Sequence, residues 1–337
     1  MPAHEPPPFT ITPAILSRVA EIATEVGRLG PLAGSGNVPI LRRGSRIRSI
    51  HASLAIENNT LDLSQVTAVI EGKRVLGPPR EIQEVKNAFA AYEAMPSWNP
   101  TSAKDLLAAH RLMLHGLLDA PGRFRTRAVG VAKGNQVVHL APPAARVPEL
   151  VKNLLAWLKR TDTHPLVASA VVHYELEFIH PFADGNGRLG RLWQTLILSR
   201  WQPLFAWLPV ETVIRERQTD YYRVLAACDK AGQSTAFIEF SLAALLTALR
   251  DSGNTAAGEQ VGAPVSEQVA RILRACASGP RSKAELLQAA GLAKAYLNYK
   301  RHIVPLLDSG LLERTLPEKP NSRLQRYRLT EKGSKAL

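Results

Sequence analysis

The sequence predicts a mainly α protein with one small β-hairpin and a separate C-terminal module, and three observations lead there. Apolar residues recur at helical spacing in most segments, as in Ile15, Leu16, Val19, Ile22, Ala23 and Val26. Before the C-terminal module, the 121–143 stretch alone carries a hairpin signal, Val129-Gly130-Val131 and Gln136-Val137-Val138-His139 around Gly134-Asn135. A Gly/Ser/Asn-rich stretch, 251–265, then sets off the final residues as a linker would. The chain of 337 residues suggests two or three domains.

Taken in order, residues 13–29 read as a helix, followed by a Gly/Pro-rich turn over 30–39. A second helix covers about 40–57 and ends at Glu57-Asn58-Asn59, where asparagine tolerates the left-handed conformation that closes helices. Further helices are expected at 62–72, 80–95, 103–118, 146–160, 165–179, 186–200, 218–229 and 235–250. After the linker come helices near 266–277, 282–290 and 294–309, then two strands around a Pro-rich turn. Ser282-Lys283-Ala284-Glu285 has the spacing of a capping box. The domain division expected is 1–100, 101–250, a linker at 251–265, and 266–337.

The formal net charge of +13 favours an anionic partner, such as a nucleotide, nucleic acid or acidic protein surface. Residues 260–337 hold 14 Lys/Arg against 6 Asp/Glu, so this module is the place to expect a DNA contact, or an acidic protein one. The two cysteines, Cys228 and Cys276, fit no zinc spacing and suit a reduced compartment. The N-terminus lacks a signal-peptide pattern, and the apolar run 236–249 contains Glu239 and is short for a bilayer. A cytoplasmic protein with no membrane contact is therefore expected.

The chemistry concentrates in His180-Pro181-Phe182-Ala183-Asp184-Gly185-Asn186-Gly187-Arg188-Leu189-Gly190-Arg191. Pro181 disfavours the α conformation at His180, so the incoming helix should stop there. The Asp-Gly-Asn-Gly run allows a tight loop whose N–H groups open a new helix, a ready anion site. Arg188 and Arg191, three apart, share a face of its first turns. Polyphosphate suits this cradle. Asp184 could hold Mg²⁺ with substrate phosphates completing the shell, and His180 could take a proton from an attacking hydroxyl.

This stretch resembles the Fic family motif, His-Pro-Phe-x-Asp/Glu-Gly-Asn-Gly-Arg-x-x-Arg, and meets every fixed position. The resemblance covers roughly 40–250. It implies a Fic helical core with a hairpin flap, acting as a protein adenylyltransferase that moves AMP from ATP to a Ser, Thr or Tyr hydroxyl. By it, His180 is the base and Phe182 an apolar support for the loop. Asp184 is the Mg²⁺ ligand; Gly185, Asn186 and Gly187 form the anion hole; Arg188 and Arg191 bind phosphate. A sister branch acting as a kinase carries Lys where Gly187 stands, so Gly187 points to nucleotidyl transfer.

Upstream, Ser49, Ser53 and Glu57 lie four apart on one helical face, and Glu57 puts a carboxylate at a helix C-terminus, where it wants a cation. Ser53-x-x-x-Glu57-Asn58 resembles the family's inhibitory motif, whose glutamate pairs with the second motif arginine, here Arg191. The hairpin resembles the family's flap, which implies target binding by strand addition at Val137, Val138 and His139. Tyr221-Tyr222 resembles a nucleobase-side aromatic pair, with buried core tyrosine as the alternative. His110, His115 and His173 have no metal-like spacing and read as core or surface residues. The 266–337 module resembles a winged helix-turn-helix, with Lys294, Tyr296, Asn298, Tyr299, Lys300, Arg301 and His302 on its third helix and Asn321-Ser322-Arg323 at the wing tip. Two further readings stay open: a DNA-binding regulator whose core only senses nucleotide, and a hydrolase that removes AMP with Glu57 positioning water. Self-modification and a homodimer are also compatible with the sequence.

Overall fold

The computed structural model describes residues 6–29, 38–133, 136–260, 267–292, 298–308, 310–318, 322 and 324–334. The chain divides into two compact units, Met1–Ser252 and Gly253–Leu337.

The first unit is built on two consecutive buried helices, α7 (Pro165–Ile179) and α8 (Asn186–Trp201). α7 is apolar nearly all round, from Leu166 to Ile179, and such a helix can only be central. One apolar cluster on this pair includes Leu54, Leu61, Val85, Met113, Phe182 and Trp193. It gathers α2 (Val38–Ile56), α3 (Leu63–Ile70), α4 (Pro79–Ala94), α5 (Ala103–Met113) and α6 (Val147–Arg160). A second cluster includes Ile22, Ile56, Val171, Phe237 and Leu245, from α1 (Pro13–Leu29), α2, α7 and α11 (Thr235–Gln260). α9 (Val210–Glu216) and α10 (Gln218–Ala231) pack into it. The last turn of α2 therefore contributes Leu54 to one cluster and Ile56 to the other. The antiparallel hairpin of β1 (Gly130–Lys133) and β2 (Gln136–Leu140) has a bulge between Val131 and Ala132. Its expected Gly134-Asn135 turn lies outside the described residues.

Local chemistry explains most boundaries. Asp62 caps α3 reciprocally with Gln65, and the Ser102 side chain accepts from the Asp105 N–H at the start of α5. The expected 103–118 helix stops at Met113, because the chain turns through Gly116 at φ 69°. The expected linker at 251–265 is helical to Gln260: composition counted Gly253 and Gly258, but no proline interrupts before Pro264. α9 and the 3₁₀ turn Pro203–Trp207 were not expected from the sequence.

The second unit contains α12 (Glu267–Ala277), β3 (Arg281–Ser282), α13 (Lys283–Ala289), a π-turn Tyr299–Ile303 leading into α14 (Val304–Asp308), β4 (Leu312–Arg314), β5 (Arg326–Leu329) and α15 (Glu331–Ser334). The antiparallel strand order is β3-β5-β4, and β3 was not expected. The Ser282–Glu285 capping box forms as its spacing predicts. Ile272, Leu286, Ile303, Leu312 and Tyr327 make the core. Lys294, Tyr296, Asn321 and Arg323 lie outside the described residues. Both cysteines are free and buried, and among the described residues no helix is long and apolar enough to cross a membrane.

Candidate active site

α7 ends at Ile179, one residue before the proline-restricted His180. His180 leaves the helix through a left-handed conformation, φ 47° and ψ 62°, which L-residues adopt reluctantly. Asn186 then closes the loop: its Oδ1 accepts the Phe182 N–H at 2.9 Å and its Nδ2 donates to the Phe182 carbonyl at 2.9 Å. That side chain is thus spent on loop shape, while the Gly185 N–H donates to the Asp184 carboxylate at 2.5 Å. Gly185 sits at φ 84° before α8, and a Cβ there would lie 2.5 Å from Leu114 Cδ2. Only glycine meets both constraints.

Phe182 is fully buried and stacks on His110, with ring centroids 3.8 Å apart. His110 Nδ1 accepts the Gly122 N–H at 2.8 Å, so its Nε2–H donates to the Asp184 carbonyl at 2.9 Å. Burial pulls its pKa down and keeps it neutral. His110 takes the core role expected, and in it supports the anion loop from beneath.

The Asp184 carboxylate accepts from Arg188 Nη2 at 2.9 Å and from Arg80 Nη2 at 3.2 Å. Arg188 Nη1 also donates to Glu84 Oε1 at 3.2 Å, and Asn59 Nδ2 to Glu84 Oε2 at 2.9 Å. Arg80 and Glu84, on α4, were missed from sequence because an Arg-x-x-x-Glu pair looks like any solvated helix face. Among the described residues no three of His, Cys, Asp or Glu gather as a metal cluster. A lone carboxylate at an anion site still fits Mg²⁺, which commonly takes one or two carboxylates and completes its shell with phosphate and water.

Arg191 is almost fully buried. Its Nε donates to Ser53 Oγ at 3.0 Å, and Nη2 donates to Ser53 O at 3.0 Å and Glu57 Oε1 at 2.8 Å. Burial would lower its pKa, but Glu57, Tyr221 and Glu177 outweigh that and hold it above the usual range. Nη1 is buried without a partner among the described residues. A Cβ on Gly187 would lie 2.4 Å from Glu57 Oε1 and 3.1 Å from Arg191 Nη1, so the pair sits directly against the first turn of α8. The serine face of α2 expected from sequence is the face that meets Arg191. Asn58 closes the helix at φ 68°, as its residue type predicts.

The two adjacent tyrosines separate. Tyr221 fits the core alternative: it is buried, with its hydroxyl 3.1 Å from Glu177 Oε1 and 3.2 Å from His173 Nε2. His173 is buried too, its Nδ1 2.7 Å from Gln194 Oε1, and burial pulls its pKa down to about 3. Tyr222 is exposed, and its hydroxyl donates to the Ile56 carbonyl at 3.2 Å, beside Gln218 Nε2 at 2.9 Å. Val137 and His139 pair in backbone register with Ala132 and Val131 across the hairpin; the side chains of Val137, Val138 and His139 lie outside the described residues. Arg125, buried at the foot of the hairpin, donates to the His180 carbonyl and was also missed. Its signal was faint, one arginine among several in Gly122-Arg123-Phe124-Arg125.

Residues 100–198 match the Fic/DOC family model, and residues 267–330 match the C-terminal domain of Fic-like proteins, filamentation induced by cAMP. A Fic family protein from Desulfovibrio desulfuricans G20, known as a crystal structure, is 54% identical over 97% of this chain and 99% of that one, with a TM-score of 0.73. The Caenorhabditis elegans Fic-1 structure, 24% identical over 73% of each chain with a TM-score of 0.62, shares the fold. Among curated proteins, protein adenylyltransferase Fic of Nematostella vectensis is 30% identical over 61% of this chain and 49% of its own length. Protein adenylyltransferase fic-1 of C. elegans is 33% identical over 52% of this chain and 35% of its own. The chain thus spans about half or less of these two curated relatives.

Proposed function

Because this chain belongs to the Fic family, we propose that it transfers AMP from ATP to a hydroxyl on a protein, releasing pyrophosphate. The observation that carries this reading is Arg191: a buried cation with one unspent donor, Nη1, beside the N-terminus of α8. A guanidinium with an unspent donor at a helix N-terminus is built to receive phosphate oxygen. In the reaction the target hydroxyl oxygen forms a bond to the α-phosphorus while the bond to the pyrophosphate oxygen breaks. His180 takes the hydroxyl proton. Arg188, Arg191 and the backbone N–H groups of Gly185, Asn186 and Gly187 carry the negative charge on the phosphates. Asp184 would hold Mg²⁺, which would supply further charge neutralisation there. Glu57, paired with Arg191, would keep the phosphates from their productive pose and hold the resting rate down. Tyr222 rather than Tyr221 is the aromatic available at the nucleotide side.

Incubation of the purified chain with labelled ATP and Mg²⁺ tests the reading, with candidate target proteins present. Label should appear on protein with the parent chain and fall about 10²–10⁴-fold with His180→Ala, while ATP binding persists in both. Parent-rate labelling by His180→Ala would reject His180 as the base.

For the C-terminal module, the excess of 14 Lys/Arg over 6 Asp/Glu in 260–337 supports an anionic partner, with DNA as the proposal. Binding of the full chain to a mixed pool of duplexes should then weaken steeply as salt rises. No binding at low salt would favour an acidic protein partner instead.

A further inference from the structure

Transfer requires that a hydroxyl presented at the hairpin be aligned with the base. We propose that Arg125 is a positioning residue that sets the register between the β1–β2 hairpin and His180. The inference rests on the proposed transfer for its functional meaning, though the register itself is physical.

Arg125 is only 6% exposed. Among the described residues its partners are backbone carbonyls. Nε donates to His180 O at 2.7 Å and Nη2 to Ile179 O at 3.3 Å, the two carbonyls at the end of α7. Nη2 also donates to Pro142 O at 2.6 Å and Nη1 to Arg127 O at 2.9 Å. Arg127 precedes β1 and Pro142 follows β2, so these are the two roots of the hairpin. The Arg125 backbone N–H donates to Pro181 O at 2.9 Å as well.

Burial lowers the Arg125 pKa. The aligned carbonyls at the C-terminus of α7 favour a cation at this spot. A planar fork with donors in fixed directions can bridge two such pairs of carbonyls, whereas a lysine ammonium is a single point that cannot span them. A peptide whose carbonyl is held this way also keeps the left-handed His180 in place, and with it the imidazole.

The consequence falls on one half of the reaction. A protein segment added to the hairpin edge places its hydroxyl relative to the hairpin roots. The base is placed relative to the end of α7. Arg125 joins these two frames. The phosphate cradle belongs to α8 and to the loop closed by Asn186, and the side chain of Arg125 donates to neither. A misplacement of about 1 Å between hydroxyl and base costs about 10²-fold in rate.

The test uses the full chain carrying Glu57→Gly, with Arg125→Ala or Arg125→Lys added. Three readouts are taken: AMP transfer to protein, MgATP affinity by calorimetry, and amide hydrogen exchange. We expect transfer to fall about 10²-fold in both variants, with MgATP affinity unchanged. Exchange should quicken together in 126–142 and 177–183, and stay at parent rates in the rest of the first unit. Added guanidinium ion should restore part of the transfer, and slow both segments, in Arg125→Ala but not in Arg125→Lys. Parent-rate transfer by Arg125→Lys, quickening in one segment alone, or loosening of the whole unit would each overturn the assignment. If Arg125→Ala does not fold, Arg125→Lys supplies transfer and exchange. If the parent labels no protein, the transfer reading fails, while joint loosening and guanidinium rescue of the two segments would still establish the register.

Discussion

Replacing Glu57 with glycine removes the carboxylate that occupies Arg191, and the effect can be sized from the contact. The pair is one charge-assisted hydrogen bond of 2.8 Å between a buried guanidinium and a carboxylate whose side chain is 33% exposed. Hydrogen bonds to charged groups contribute about 1.5–3 kcal/mol, and the partial exposure of Glu57 favours the lower half of that range. If Arg191 must leave Glu57 before it can hold phosphate productively, that energy is part of the barrier in the resting chain. The corresponding gain is about 10- to 50-fold in turnover. ATP affinity should change less, because the backbone cradle and Arg188 are untouched. The assay is initial-rate labelling of an accepted target across ATP concentrations, for the parent, Glu57→Gly, Glu57→Gln and Glu57→Gly/Arg191→Ala. Glu57→Gln keeps the length and loses the charge, so it should show part of the gain. The double variant should lose it, since the freed arginine produces it. Equal rates for parent and Glu57→Gly at every ATP concentration would refute the argument.

Three further outcomes follow from the same geometry. His180→Ala should lose about 10²–10⁴-fold in transfer with ATP binding retained, measured by labelling and calorimetry; a smaller loss points to another base. Asp184→Ala releases both Arg80 and Arg188, so nucleotide affinity should lose its Mg²⁺ dependence in a titration with and without chelator, and unchanged dependence would reject Asp184 as the ligand. His173 has a folded pKa of about 3 against 6.5 in the free side chain, so it stays neutral in the fold and protonates first in the unfolded chain. Its stabilising contribution is full above pH 6.5 and is lost as pH falls toward 3, by about 2 kcal/mol at pH 5. Denaturant unfolding of His173→Gln between pH 7 and 5 should show a shallower acid loss than the parent, and parallel curves would contradict the buried-neutral assignment.

The fold was legible wherever period and punctuation agreed. The apolar α7, the proline after His180 and the glycine before α8 are local signals, and the structure follows them. α9 was not legible because Val210–Glu216 is too short to display a period. At the site, the 180–191 loop and the Ser53–Glu57 face could be read because each is contiguous or regularly spaced. Arg80, Glu84 and Arg125 could not. Their roles come from folding distant segments onto the loop, as the separation between Arg80 and Asp184 makes plain. Adjacent Tyr221 and Tyr222 could not be told apart for a similar reason. Neighbours on a helix face different ways, and only packing decides which is buried.

The last turn of α2, with Leu54 in one apolar cluster and Ile56 in the other, sets a clock for any release of Glu57. Lifting the turn would expose both side chains, which are 2% and 1% exposed, at about 1.5–3 kcal/mol each. It would also break the bonds that Gln218 and Tyr222 make to the Ile56 carbonyl. Such a helix shift runs on microseconds to milliseconds. Swinging the Glu57 side chain about its own bonds leaves the turn seated and takes picoseconds to nanoseconds, slowed only by the ion pair with Arg191. A nucleotide that arrives and leaves within microseconds therefore meets a fixed helix and a moving carboxylate. Only an event that lasts longer than the helix shift can act by unseating the turn itself.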